Sequence, residues 1–183
     1  ASGAAANLTL ASGTPGARWN FDVKNLALVS GVSVSDSAAT GAEIYADNPS
    51  VNGGNNDKWH FGSRTVSWIG GASGDFTNEV NWSDGAAPDS TTRLLLDTNA
   101  AISIGAGVAA EVREVLAQSG TTTFSGAGTL GVATTLLMEN GATVALDVPT
   151  TVGSYVELKS GAKLTHSGPH ALAATNRLFL TVN

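Results

Sequence analysis

From residue 96 onward, apolar residues return at a fixed interval. Leu96, Leu116, Leu136 and Val156 are 20 apart, as are Ile104, Phe124, Val144 and Leu164, and Val112, Val132, Val152 and Leu172. The three series sit at offsets 0, 8 and 16 of one repeat. A chain that returns to the same place at so short and constant an interval, with three apolar points per lap, is a coil of short strands burying its apolar residues lap against lap. Within a lap the pattern alternates by two. Ala142, Val144 and Leu146 take one face and Thr143 and Ala145 the other, and Ala162-Lys163-Leu164-Thr165 repeats the rule one lap later. Earlier laps put Thr122 and Phe124, then Ile102 and Ile104, in the inward places. The class this predicts is all-β: a parallel β-helix of three short strands per turn, with equivalent side chains stacked about 4.8 Å apart.

Corners repeat as well. Ser119-Gly120, Asn140-Gly141 and Ser160-Gly161 fall between the first and second series, and Gly tolerates the positive φ that a tight corner needs. Near the end the period is expected to slip. The aliphatic run Leu178-Phe179-Leu180 comes two places after Asn176, the next member of the first series, and Ser167-Gly168-Pro169-His170 is where two extra positions enter a corner. The apolar pattern then runs on to Asn183 without a polar cap, which predicts an open coil end able to pair with more strands.

A related pattern opens the chain. Asn7-Leu8-Thr9-Leu10-Ala11-Ser12-Gly13 is echoed, with a shift of 18, by Asn25-Leu26-Ala27-Leu28-Val29-Ser30-Gly31, and the alternating stretch Trp19-Asn20-Phe21-Asp22-Val23 lies between them. Three regions follow: residues 1–62, the last turns of a first solenoid with a closing loop; 63–92, a Trp- and Gly-rich junction and cap; and 93–183, a second solenoid.

Composition narrows the function. Charged residues are only 13% of the chain and the net charge is −6 with no basic run, which argues against a nucleic-acid partner. Cysteine is absent, so disulfides and Cys-ligated zinc are excluded. No apolar run reaches the roughly 18–20 residues of a membrane helix. Two sequons occur, Asn7-Leu8-Thr9 and Asn81-Trp82-Ser83.

The run from Val23-Lys24-Asn25-Leu26 through Val32-Ser33-Val34 to Gly54-Asn55-Asn56-Asp57-Lys58-Trp59-His60-Phe61 resembles the closing segment of β-helical regions in large secreted bacterial surface proteins. The next run, Trp68-Ile69-Gly70-Gly71-Ala72-Ser73-Gly74-Asp75-Phe76 with Asn81-Trp82-Ser83-Asp84-Gly85 and Pro88, resembles the opening motif of autotransporter-like β-solenoid repeats. Together they cover roughly residues 20–90. The resemblance carries no catalytic residues and implies an extracellular, structural or adhesive role; the open coil ends separately predict self-association, or pairing with neighbouring domains of the parent protein.

Two readings compete for the tryptophans. Trp68 and Trp82, with Phe76, are placed to plug the open end of the second coil, because terminal repeats are usually atypical. Alternatively Trp59, Trp68 and Trp82 form a platform for sugar rings, as in a carbohydrate-binding module of a secreted polysaccharide-active protein. Asp47, Asn48, Asn52, Asn55, Asn56 and Asp57 offer hard oxygens suited to calcium, with Asp47, Asn55 and Asp57 as the ligands, although the same residues are ordinary turn formers. No cofactor is otherwise called for. His166 and His170 have the spacing of metal ligands on a helix, but Gly168 and Pro169 between them exclude a helix. Glu111 and Glu114 flank Arg113 in a stretch whose ladder members favour strand. Lys159 and Lys163 form a close basic pair. No two carboxylates are placed for acid–base work, and no enzyme is expected.

Overall fold

The structure is a computed structural model describing residues 8–24, 27–41, 44–47, 49–139, 141–175 and 177–180. It is all-β, wound as a parallel β-solenoid with about 21 residues per turn. The chain forms two compact units, residues 1–64 and 65–183, so the Trp- and Gly-rich stretch falls almost wholly in the second.

The first unit holds the strands β1 (Leu8–Leu10), β2 (Trp19–Val23), β3 (Ala27–Ser30), β4 (Val32–Val34), β5 (Ser37–Gly41), β6 (Ile44–Asp47) and β7 (Val51–Asn52), and β8 (Trp59–Ser67) begins in it and ends in the second. They pair in parallel as β1-β4-β7, β2-β5 and β3-β6-β8. The echo with a shift of 18 is not the register used by its first strand, because Leu8 pairs with Val32, a step of 24. Trp19 and Ser37 keep a step of 18. Asn7, Asn25 and Leu26 lie outside the described residues. Two small clusters, one on Val23, Ala39 and Ile44 and one on Val32, Val34 and Ala46, form the interior.

After the end of β8, the second unit continues with β9 (Ser73–Asp75). Three full laps follow: β10 (Thr92–Leu96), β11 (Ala100–Ile104), β12 (Ala109–Val112); β13 (Glu114–Ala117), β14 (Thr121–Gly126), β15 (Thr129–Val132); β16 (Thr135–Met138), β17 (Thr143–Asp147), β18 (Thr150–Val152). Strands β19 (Tyr155–Leu158), β20 (Lys163–His166), β21 (Leu172–Ala174) and β22 (Arg177–Leu180) close it. Within this unit, strands of one rank pair with that rank, giving the ladders β10-β13-β16-β19-β22, β9-β11-β14-β17-β20 and β12-β15-β18-β21. The three faces of the predicted coil are these ladders.

The columns depart from a uniform ladder in places that corner length explains. Val112, Val132 and Val152 stack as predicted, but Ala174 follows them, and Leu172 pairs with Thr150. Leu136 stacks on Val156 as predicted, whereas its upstream partners are Val115 and then Leu94, at steps of 21. The cause is the corner after β12. It holds one residue, Arg113, where later laps hold two, and a one-residue change in register exchanges the two faces of a strand. Val115 is therefore fully buried and Leu116 half-exposed. In the second ladder Phe124 stacks between Ile102 and Leu146, and Val144 between Thr122 and Leu164.

The two-residue slip near the end is present. Val156 pairs with Leu178 and Val152 with Ala174, steps of 22, while Val144 to Leu164 remains 20. The insertion thus lies between Leu164 and Leu172, at the Ser167–His170 corner. Gly120, Gly141 and Gly161 occupy the first corner with φ of 73°, 81° and 77°, the left-handed conformation their type favours; Asn140 lies outside the described residues. One apolar cluster fills the second unit from Val66 to Val156, each large aliphatic side chain contributing about 1.5–3 kcal/mol of burial before entropy.

Val144 is fully buried, so Val144→Asp would put an unpaired charge in the stack. We expect a loss of about 3–5 kcal/mol in a thermal melt followed by circular dichroism, against little change for the outward-facing Ala145→Asp.

Candidate functional site

The junction motif builds a lid. Ser73 to Asp75 pair with Ala101 to Ser103 of β11, and the Phe76 amide donates to the Ser103 carbonyl at 2.8 Å, which fastens the segment across the first lap. Asn78 caps the short helical turn Glu79–Asn81, and that turn brings Trp82 opposite Trp68 in an antiparallel bridge. The two indoles meet edge to face at 5.1 Å, and Phe76 meets Trp82 at 5.4 Å. Asn81 is buried at the centre and donates from Nδ2 to the Asp75 carbonyl. Gly70 and Gly74 are required by this packing. A Cβ on either would come within 2.6 Å of the Asn81 amide group, closer than real Cβ atoms approach.

Trp68 and Trp82 are 3% and 1% exposed. Their Nε1 groups donate to the carbonyls of Gly71 and Phe76, both at 2.8 Å. Neither ring presents a flat face to a sugar. The burial reflects position: the first lap leaves its apolar columns uncovered, and the aromatic cluster covers them. Trp59 belongs to the first unit. It is half-buried, donates to Ser37 Oγ at 3.0 Å and stacks on Phe61.

The candidate calcium ligands are distributed over hydrogen bonds of their own. Asp47 ends β6 and is aligned with Ser30 and Ser63. Asp57 donates its amide to the Ser37 carbonyl, and its carbonyl accepts from the Ala39 amide. Asn55 donates from Nδ2 to Asp36 Oδ1 at 2.7 Å and accepts from Arg18 Nε at 2.9 Å. Asn56 donates to the Val34 carbonyl and to Asn52 Oδ1, and accepts from the Ser37 amide. Asn48 lies outside the described residues. Among the described residues no three His, Asp or Glu side chains converge as a metal site.

What this loop builds is a corner ladder. Gly16, Asp36 and Asn55 follow one another at the same corner on successive laps, all with positive φ. Asp36 accepts from the Gly16 amide on one side and from Asn55 on the other. These bonds, led by that from Asn55, and the nearby Arg18 hold the Asp36 carboxyl below its usual value. The sequence carries a signal for the ladder, turn formers spaced by 20 and 19, that the apolar pattern does not include.

The other candidate groups lie on the ladders. His166 ends β20 in register with Leu146, and Ser167 bonds Asp147. Glu111 lies on β12 and Glu114 on β13, both strands, as their ladder positions require. Glu114 is held by Arg93 at 2.9 Å. Lys159 bonds Glu139 one lap earlier at 2.8 and 3.0 Å, and that bond raises the lysine above its usual value. An open groove of about 340 Å³ lies between the lid and the first lap, bordered by Thr77, Pro88, Asp89, Ser90, Val108 and Glu111. Asp89 Oδ1 is already occupied by Thr91 and Thr92.

No family model, no curated protein and no solved structure matches this chain.

The lid and the corner ladder each make a measurable difference to stability. Trp82→Ala should cost the second unit about 3–5 kcal/mol, and in the unaltered protein iodide should quench Trp68 and Trp82 fluorescence poorly. Because the folded Asp36 carboxyl is lowered, its stabilising contribution is complete above the unfolded value of about 4 and disappears as pH falls through the folded one. Asp36→Asn should therefore flatten the acid limb of a pH–stability profile of the first unit.

Proposed function

We propose that this chain is an extracellular structural or adhesive segment of a bacterial surface protein, acting as a stiff β-solenoid that associates end to end. The observation that carries this reading is the state of the last described lap. Val156 is 1% exposed, yet Leu178, the next member of its column, is 60% exposed. Leu164 and Leu172, inward members of the other two ladders, are only half-buried. Among the described residues, no further lap stacks over the inward members of this one. Such a surface suits a further lap from another copy or a neighbouring domain, added strand to strand. The resemblance of residues 20–90 to secreted surface proteins supports the extracellular setting, and the same-rank pairing of every lap in the second unit supports a mechanical role.

A carbohydrate-binding role is the second reading. The groove beside Pro88 and Val108 favours it, since an apolar wall next to hydroxyl and carboxylate oxygens suits a sugar ring.

Negative-stain electron microscopy across a concentration series, with and without EDTA, tests the first reading. We expect end-to-end chains that lengthen with concentration and are lost in Leu178→Asp, whose exposed position leaves the fold intact. Discrete particles at every concentration, with glycan binding lost on Glu111→Gln, would replace this reading with the second.

A further inference from the structure

Strand β7 consists of Val51 and Asn52 alone. Among the described residues it ends the ladder β1-β4-β7, paired with Ser33 and Val34 of β4. Asn52 is exposed and is followed by Gly53. The fold imposes that glycine. A Cβ at position 53 would lie 2.9 Å from the Val34 carbonyl oxygen and 3.0 Å from the Ser35 Cβ, so a larger residue would push the turn off β4. The same bare residue leaves the nitrogen that follows Asn52 unshielded by any side chain, and a carboxamide beside such a nitrogen is open to intramolecular attack. Hydrogen bonds hold the pair in place. The Gly53 amide donates to the Val34 carbonyl at 2.7 Å. Asn52 Oδ1 accepts from the Gly54 amide at 3.0 Å and from Asn56 Nδ2 at 2.8 Å, and the same Nδ2 donates to the Val34 carbonyl at 2.8 Å.

We propose that Asn52 is a site of spontaneous deamidation, held shut by the bond from Gly53 to Val34 and released when β7 lifts from β4. In the step, the Gly53 nitrogen loses its proton and bonds to Asn52 Cγ, the Cγ–Nδ2 bond breaks, and Nδ2 leaves as ammonia. Water then opens the resulting cyclic imide. Cleavage between the Gly53 nitrogen and Cγ gives aspartate. Cleavage at the backbone carbonyl of residue 52 gives isoaspartate, in which the chain runs through Cβ and Cγ. Water is the sole co-reactant. While β7 is docked, the Gly53 hydrogen is committed to Val34 at a short distance, and the nitrogen is not available as a nucleophile. Opening a two-residue strand at the end of a ladder costs far less than unfolding the coil, so the lock is released locally. Isoaspartate lengthens the backbone of β7, and residue 52 then no longer aligns with Val34. The change is irreversible and adds a negative charge, so the first coil keeps a chemical record of how often this lap has opened.

The test incubates the full chain at mildly alkaline pH, native and unfolded in urea. Peptide mass spectrometry with fragmentation then reads conversion at Asn52 separately from Asn140, which also precedes a glycine. Amide hydrogen exchange of Gly53 is measured on the same native sample. We expect Asn52 to convert in the native protein more slowly than in urea, by the factor by which the fold protects the Gly53 amide from exchange. Urea below the unfolding transition should raise both rates in parallel. Asn52→Asp gains the charge without lengthening the chain and should leave the melting of the first unit unchanged, whereas protein aged to isoaspartate should melt earlier. The proposal is overturned if Asn52 converts equally fast in native and unfolded chains, or if the two rates diverge as urea is raised. It is also overturned if the native chain stays unconverted over the time its Gly53 exchange rate requires. Equal melting of the aged chain and Asn52→Asp would overturn the lengthening of β7 as the consequence.

Discussion

Every other feature of this protein depends on the parallel ladder between successive laps. In a parallel pair, each residue is held beside one equivalent above and one below. A side chain placed inward in one lap therefore becomes part of a column, and a corner conformation used once is used again. Interior, corners and outer faces are three consequences of one hydrogen-bond pattern. The same pattern makes stability nearly a sum of lap-to-lap terms, and the aromatic lid covers the first full lap of the second unit.

Electrostatics obeys the same geometry. Ion pairs and charged hydrogen bonds join residues about one lap apart: Arg93 with Glu114, Lys159 with Glu139, Asp36 with Asn55 and with Gly16. Few charges are present, and these pairs tie laps together along the coil, while Lys24 with Asp22 and Arg113 with Glu114 pair within a lap. Such pairs are worth little one at a time when exposed. Their role is better understood as register marks, since a slipped lap would separate each of them from its partner.

The fold was legible because a period of about 20 survives in the sequence even where corners vary. Val112, Val132 and Val152 are in true register, and the late insertion could be placed at Ser167–His170 from the displaced run Leu178-Phe179-Leu180. What the sequence concealed was corner length. Nothing in the apolar pattern distinguishes Leu116 from Val115, because both are apolar and adjacent; only the one-residue corner at Arg113 decides which faces in. That ambiguity put Leu116 among the core residues, whereas the structure aligns it with Leu95 and Leu137, all three half-buried. The lid was legible from Trp68, Phe76 and Trp82 because large aromatics on a Gly-rich segment need somewhere to bury. The polar loop was harder. Asn and Asp serve turns, metal sites and hydrogen-bond ladders equally well, and only their partners, Arg18, Gly16 and Asp36, distinguish these roles.

The lid also bears on how the chain can be made. Asn81 stands in a consensus for attachment of N-linked sugar, yet its amide nitrogen is committed to the Asp75 carbonyl, and its amide group is packed against Gly70 and Gly74. A sugar on that nitrogen and a closed lid exclude each other. In a secretory pathway that glycosylates chains before they fold, modification at Asn81 would leave the aromatic cluster unassembled and the first lap bare. Synthesis where no such enzyme acts avoids the conflict, and the route of production thus becomes a determinant of whether the second coil has a beginning.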